Sequence, residues 1–194
     1  IAKITGKDPK HVEELLEKAA RTGAVEYHRE NPDHVKRYYV QLFVPGIAEM
    51  TNMVRWQFDK YPEIGEQFNK MTFLPLEGKT HLIPPGGDGI GMHVIPVEKE
   101  VSMHNEALDL EKISYWLQKY DGHLSAGICS CRYSRAKLGE GCTDDVNDWC
   151  IQVGDMADYT VETGRAHYIT KEEALDRGWT KGSYVEVELR DDMV

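Results

Sequence analysis

Long apolar runs are missing from this chain: nowhere do about 18 apolar residues follow one another, the length a membrane-spanning helix needs. A basic face is missing as well. With 33 acidic against 23 basic residues the formal charge is −10, which argues against bulk binding to nucleic acid or to an anionic membrane. Cysteine is scarce, four in 194 residues, too few for a disulfide-dense secreted scaffold of this size. Several signatures are absent too: H-E-x-x-H, H-x3-H, C-x-x-C, G-x-G-x-x-G, G-x4-G-K-[ST] and any Ser/His/Asp nucleophile motif. The eight histidines are scattered. His93 and His123 fall nearest the glycine-rich and cysteine stretches and read as structural side chains. There is no internal repeat or low-complexity segment, and the length suits one large or two small domains.

What cysteine there is, is concentrated. Cys129, Cys131, Cys142 and Cys150 fall within 22 residues, spaced C-x-C-x10-C-x7-C. On an extended segment Cys129 and Cys131 would point to one face. Cys142 follows Gly139-Glu140-Gly141, where the backbone can approach a ligand closely. Cys150 is expected about two turns into a helix over 144–153. Three chemistries suit such a set. Four thiolates can hold an iron–sulfur cluster. They can hold structural zinc, although zinc sites favour C-x2-4-C knuckles. They can also be disulfides or plain buried thiols. A bridge between Cys129 and Cys131 is disfavoured, because an extended Cα separation of about 6.6 Å sits at the upper limit of disulfide geometry. The clustering favours a metal in a reducing, cytoplasmic compartment.

The remaining sequence reads as an α+β chain. Asp8-Pro9 opens a helix, with Val12, Leu15, Leu16 and Ala19 at helical spacing and Gly23 as its stop. A short segment at Ala24-Val25-Glu26-Tyr27-His28, a turn at Asn31-Pro32-Asp33 and a β-rich run over 35–44 follow. This is the outline of a winged helix over 1–45, its first helix missing. Glu13, Glu14 and Glu17 on the would-be recognition helix oppose phosphate contacts and favour a structural or protein-docking role. Residues 46–104 read as a helical segment broken at Pro62, then a Gly/Pro-rich connector, with a strand at 92–97. Its loop Pro84-Pro85-Gly86-Gly87-Asp88-Gly89-Ile90-Gly91 lacks the following helix that a phosphate cradle requires. Residues 105–194 read as a mostly helical, four-cysteine, cluster-binding domain. It holds a helix capped by Asp109, the helix Asp155–Glu162, a Thr170–Glu173 capping box whose helix breaks at Arg177-Gly178-Trp179, and an alternating strand over 183–190.

Ile95-Pro96-Val97-Glu98-Lys99, Cys129-Ser130-Cys131-Arg132, Gly139-Glu140-Gly141-Cys142, Cys150, Gly154, Ala157-Asp158, Gly164 and Ile169-Thr170-Lys171-Glu172-Glu173-Ala174 together resemble a region of iron–sulfur proteins of anaerobic bacteria. In that family a winged-helix-like part and a C-x-C-R…G-x-G-C…C segment precede ferredoxin-type [4Fe-4S] motifs. Larger members add a flavin- and NAD(P)-binding module similar to the small subunit of glutamate synthase. The resemblance covers roughly residues 1–176, and its specific element is the cysteine segment with its glycines. It implies that Cys129, Cys131, Cys142 and Cys150 hold one [4Fe-4S] cluster; the neighbouring cations Arg132, Arg135 and Lys137 would then offset its charge. FAD and NAD(P) would belong to other domains or subunits, since neither the ferredoxin motifs nor nucleotide-binding glycines occur here. The implied role is an electron-transfer module of an oxidoreductase, with ferredoxin-type and flavin-containing redox partners and neither membrane nor nucleic acid among them. The alternative is a zinc-stabilised winged-helix regulator or docking module without catalysis.

Overall fold

A computed structural model describes residues 1–41, 46–72, 113–141, 145–181 and 184–186. The glycine-rich loop 84–91, the strand expected at 92–97, His93, the Asp109 cap and Cys142 lie outside these residues. Helix and strand are mixed, so the chain is α+β. It divides into two compact units, Ile1–Pro85 with Ser130–Val146 and Gly86–Cys129 with Asn147–Val194. Among the described residues no helix is long and apolar enough to cross a membrane.

In the first unit, α1 (Ala2–Thr5) and α2 (Pro9–Thr22) precede an antiparallel pair, β1 (Glu26–His28) and β2 (Arg37–Tyr39). Helix α2 begins where expected. The Asp8 carboxylate accepts from the His11 amide at 3.0 Å and Pro9 occupies the first helical position. The hairpin is tied back to α2 through Glu17, which accepts from Lys36 Nζ at 2.7 Å and from the Tyr38 hydroxyl. Lys36 also lies 4.1 Å from the centroid of the Tyr27 ring, a cation–π contact. The helix expected over 47–61 is split into α3 (Ala48–Asn52) and α4 (Arg55–Lys60). Val54 takes extended backbone (φ −86°, ψ 90°) and is buried together with Met53. A β-branched residue accepts that conformation readily. Helix α5 (Glu63–Thr72) follows Pro62.

The second unit departs from a mostly helical expectation, because it contains a four-stranded mixed sheet in the order β5-β3-β4-β6. Its strands are β3 (Leu124–Gly127), β4 (Cys150–Val153), β5 (Ala166–Tyr168) and β6 (Tyr184–Glu186). β3 runs antiparallel to both β4 and β5, while β6 is parallel to β4. Leu124, Ala126, Ile151 and Val153 alternate onto one face. They form a core there with Ile113 and Leu117 of α6 (Ile113–Lys119), with Ile169, and with Ala174 of α9 (Lys171–Lys181). Helix α9 opens on the expected capping box: Thr170 Oγ1 accepts from the Glu173 amide at 3.1 Å and the Glu173 carboxylate accepts from the Thr170 amide at 2.8 Å. It then continues through Gly178, where the sequence predicted a break. One interior glycine costs a helix only about 1 kcal/mol, too little to end one that is capped and docked through Ala174.

Gly23 meets two demands together. Its φ of +83° is left-handed, and a Cβ there would lie 2.7 Å from the backbone of Met50 and Thr51. At Gly6 (φ +65°) a Cβ would meet nothing within 4 Å. Gly6→Ala should therefore cost only the left-handed penalty of about 1 kcal/mol. Gly23→Ala must also displace α3 and should cost about 3 kcal/mol. Urea unfolding midpoints of the two variants check this; equal losses would contradict it.

Candidate functional site

Cys150 is the first residue of β4, not part of a helix over 144–153. The local signal for a helix there is weak, since Ile151 and Val153 are β-branched, and β3 supplies a partner strand from more than twenty residues upstream. The strand is aimed by the turn before it. Asp148 adopts φ +57°, uncommon for a residue with a side chain. It is gripped from two elements: Arg177 Nη1 of α9 lies 3.4 Å from its carboxylate and donates to its carbonyl, and His167 Nδ1 of β5 lies 3.5 Å from the carboxylate. The Trp149 amide then donates to the Gly127 carbonyl at 3.2 Å, and Cys150 pairs with Gly127.

Cys129 and Cys131 do not share an extended segment. β3 ends at Gly127, and helix α7 (Ser130–Lys137) has begun by Ser130. The two thiols therefore differ: Cys129 is 3% exposed and Cys131 is exposed on the first turn of α7. Within the second unit, Cys129 lies two residues past Gly127, so it and half-buried Cys150 fall at the same end of the β3–β4 ladder. Among the described residues no three His, Cys, Asp or Glu side chains are gathered closely enough to hold a metal ion. Cys142, the fourth member of the set, is outside them.

In the first unit α7 is fastened by its inner face. Ser130, Tyr133 and Ser134 are buried there. The Tyr133 ring packs on Phe58 with centroids 4.8 Å apart, and its hydroxyl donates to Asp59 at 2.7 Å. Two of the cations expected to offset cluster charge are engaged by carboxylates, Lys137 with Asp59 and Arg135 with Glu140 at 2.6 Å.

The sheet face opposite the apolar core carries what the sequence reading missed. Alternation puts Ser125 of β3 and Gln152 of β4 on the face of Cys150. Helix α8 (Asp155–Glu162) covers it with Thr160, and all three polar residues are fully buried. Ser125 Oγ donates to Gln152 Oε1 at 3.1 Å and lies 3.1 Å from Thr160 Oγ1. Gln152 Nε2 has no acceptor among the described residues. The alternation Cys150-Ile151-Gln152-Val153 is the signal that could have found it. His123 stands apart, its Nδ1 2.9 Å from Asp158, which also accepts from the Tyr168 hydroxyl at 2.8 Å. That arrangement joins the start of β3 to α8 and β5.

No family model, curated protein or solved structure matches the chain.

The hydrogen bond from Lys137, and after it that from Tyr133, holds the Asp59 carboxyl below the usual aspartate value. A depressed carboxyl stabilises the fold above its ordinary pKa and ceases to do so as pH falls through the depressed one. Asp59→Asn should therefore flatten the acid limb of stability while changing its shape little near neutrality. Denaturant midpoints taken as pH falls from about 5 to about 2 test it. Parallel acid limbs for wild type and variant would contradict the assignment.

Proposed function

We propose that the chain is an electron-transfer module of an iron–sulfur oxidoreductase, in which Cys129, Cys131, Cys142 and Cys150 hold one [4Fe-4S] cluster. The observation that carries the reading is the placement of Cys129 and Cys150 at one end of the β3–β4 ladder. The spacing C-x-C-x10-C-x7-C and its resemblance to the anaerobic iron–sulfur family support it. When bound, such a group supplies one-electron chemistry. The chain's own residues bind and shield it. Cys150 is mounted on a strand whose preceding turn is gripped by Arg177 and His167. Cys131 is mounted on a helix whose Tyr133 is anchored to Asp59. Hydride chemistry, FAD and NAD(P) belong to other domains or subunits in this reading, whose redox proteins are the partners. A reducing, cytoplasmic setting suits unbridged thiolates.

A second reading is favoured by one observation: α1, α2 and the β1–β2 hairpin follow in the order of a winged helix. A zinc-stabilised regulator or docking module would use that part without redox chemistry. The exposed run of α2 carries Glu13 and Glu14, which repel duplex phosphates and point to a protein partner within this reading.

Anaerobically purified protein should contain about four iron and four acid-labile sulfide per chain. Serine at any one of the four cysteine positions should cut that content severalfold. Metal and sulfide analysis checks both. A colourless protein with stoichiometric zinc and no sulfide would sink the redox reading in favour of the second.

A further inference from the structure

Helices α1 and α2 leave large apolar side chains on the outside of the first unit. Ile4 is 90% exposed, Ile1 65% and Leu15 46%. Ile1 and Ile4 are three apart in a single turn, in which the Ile1 carbonyl accepts from the Ile4 and Thr5 amides at 3.0 and 2.9 Å. Residues so spaced fall on one side of a helix. Helix α1 packs beside α2 across the left-handed turn at Gly6. On α2, the neighbours of Leu15 one turn either way are His11 and Lys18. A single apolar side chain in solvent is ordinary, but three on one short helix pair are the pattern of an unfilled contact.

The charges beside these side chains are basic. Lys3 and Lys7 flank Ile4 in the chain, Lys18 flanks Leu15, and none of these lysines is engaged by a carboxylate among the described residues. The acids nearby are directed elsewhere. Glu17 is held by Lys36 and Tyr38 of the hairpin, and Glu13 acts on Tyr38 from the same side. Asp8 caps the His11 amide. Glu14 stands between Lys10 and Lys18, one turn from each.

We propose that this face takes an amphipathic helix of a partner protein, its apolar stripe on Ile1, Ile4 and Leu15 and its acidic flank against Lys3, Lys7 and Lys18. The inference gives a surface to the docking role raised above and is independent of the cysteines and of any metal. A helix fits for two reasons. It offers anchors at i, i+3, i+4 and i+7, the spacing that a groove beside a helix pair accepts. The sequence outline over 1–45 is also that of a winged helix short of its first helix, so the packing element this pair lacks is itself helical. The apolar contacts supply affinity, while the lysines orient the partner and speed encounter.

The test uses the full chain and a fluorescent peptide of about eighteen residues, five helical turns, with leucine along one face and glutamate on the flanks. One control peptide carries lysine in place of every glutamate, and a second is scrambled so that its leucines no longer share a face. Fluorescence anisotropy should show the first peptide binding about tenfold tighter than either control. Ile4→Asp and Leu15→Asp should each weaken it about tenfold, and Lys3→Glu combined with Lys18→Glu should reverse the preference toward the lysine peptide. Because Ile4 is almost wholly solvated, Ile4→Asp should keep the wild-type urea midpoint, which separates lost docking from lost folding. Equal affinity for the three peptides, or binding that Ile4→Asp leaves unchanged, would overturn the proposal. A dimer in sedimentation that Ile4→Asp abolishes would also overturn it, assigning the face to a second copy of the chain. Duplex DNA binding lost on Lys3→Glu would do the same in favour of nucleic acid. None of these outcomes touches metal or sulfide content, so the iron–sulfur reading stands or falls separately.

Discussion

The pairing of β3 with β4 is the constraint from which the rest of the second unit follows. Its register, Leu124 with Val153 through Gly127 with Cys150, sends Leu124, Ala126, Ile151 and Val153 into the apolar core. The same register sends Ser125, Gln152 and Cys150 to the other face. A slip of one residue would invert both faces, burying glutamine and serine among leucine and valine. The sheet thus has one admissible register, and that register decides where the Cys150 thiol goes. Either side of the ladder is locked by a second element: α6 and α9 over the apolar face, α8 over the polar one.

Each unit mounts its own cysteine by a different device. In the second, a left-handed Asp148 turns the chain into β4, and the carboxylate that tolerates this backbone is also the one that Arg177 and His167 hold. In the first, Cys131 rides on α7, whose Tyr133 and Lys137 converge on one carboxylate of α4. Both devices put a thiol on a rigid element and leave its strain or charge to be met by residues distant in sequence.

Much of the fold was legible because its signals are local. Asp8-Pro9 with Gly23, Thr170 with Glu173, and Asn31-Pro32-Asp33 ahead of a β-rich run each act over a few residues, and each produced the expected helix or hairpin. The failures share the opposite property. Cys150–Val153 is a strand because β3 pairs with it, and a window around 144–153 contains no trace of that partner. The C-x-C pair reads locally as extended because nothing in the sequence marks the end of β3 so close to the start of α7. Gly178 reads locally as a helix stop, but Ala174 and the capping box hold that helix in place through it. At the candidate site the cysteines were visible by spacing alone. The Ser125–Gln152–Thr160 stripe was not, because it exists only once three elements are stacked.

The proposed iron–sulfur reading rests on the cysteine spacing and on the placement of Cys129 and Cys150 at one end of the β3–β4 ladder. X-ray absorption at the metal edge of the anaerobically isolated protein tests that reading most directly. A [4Fe-4S] cluster held by the four cysteines predicts an iron edge with a sulfur shell and, beyond it, a short iron–iron shell. A zinc edge with sulfur neighbours and no metal–metal shell, or no bound metal at all, would contradict it.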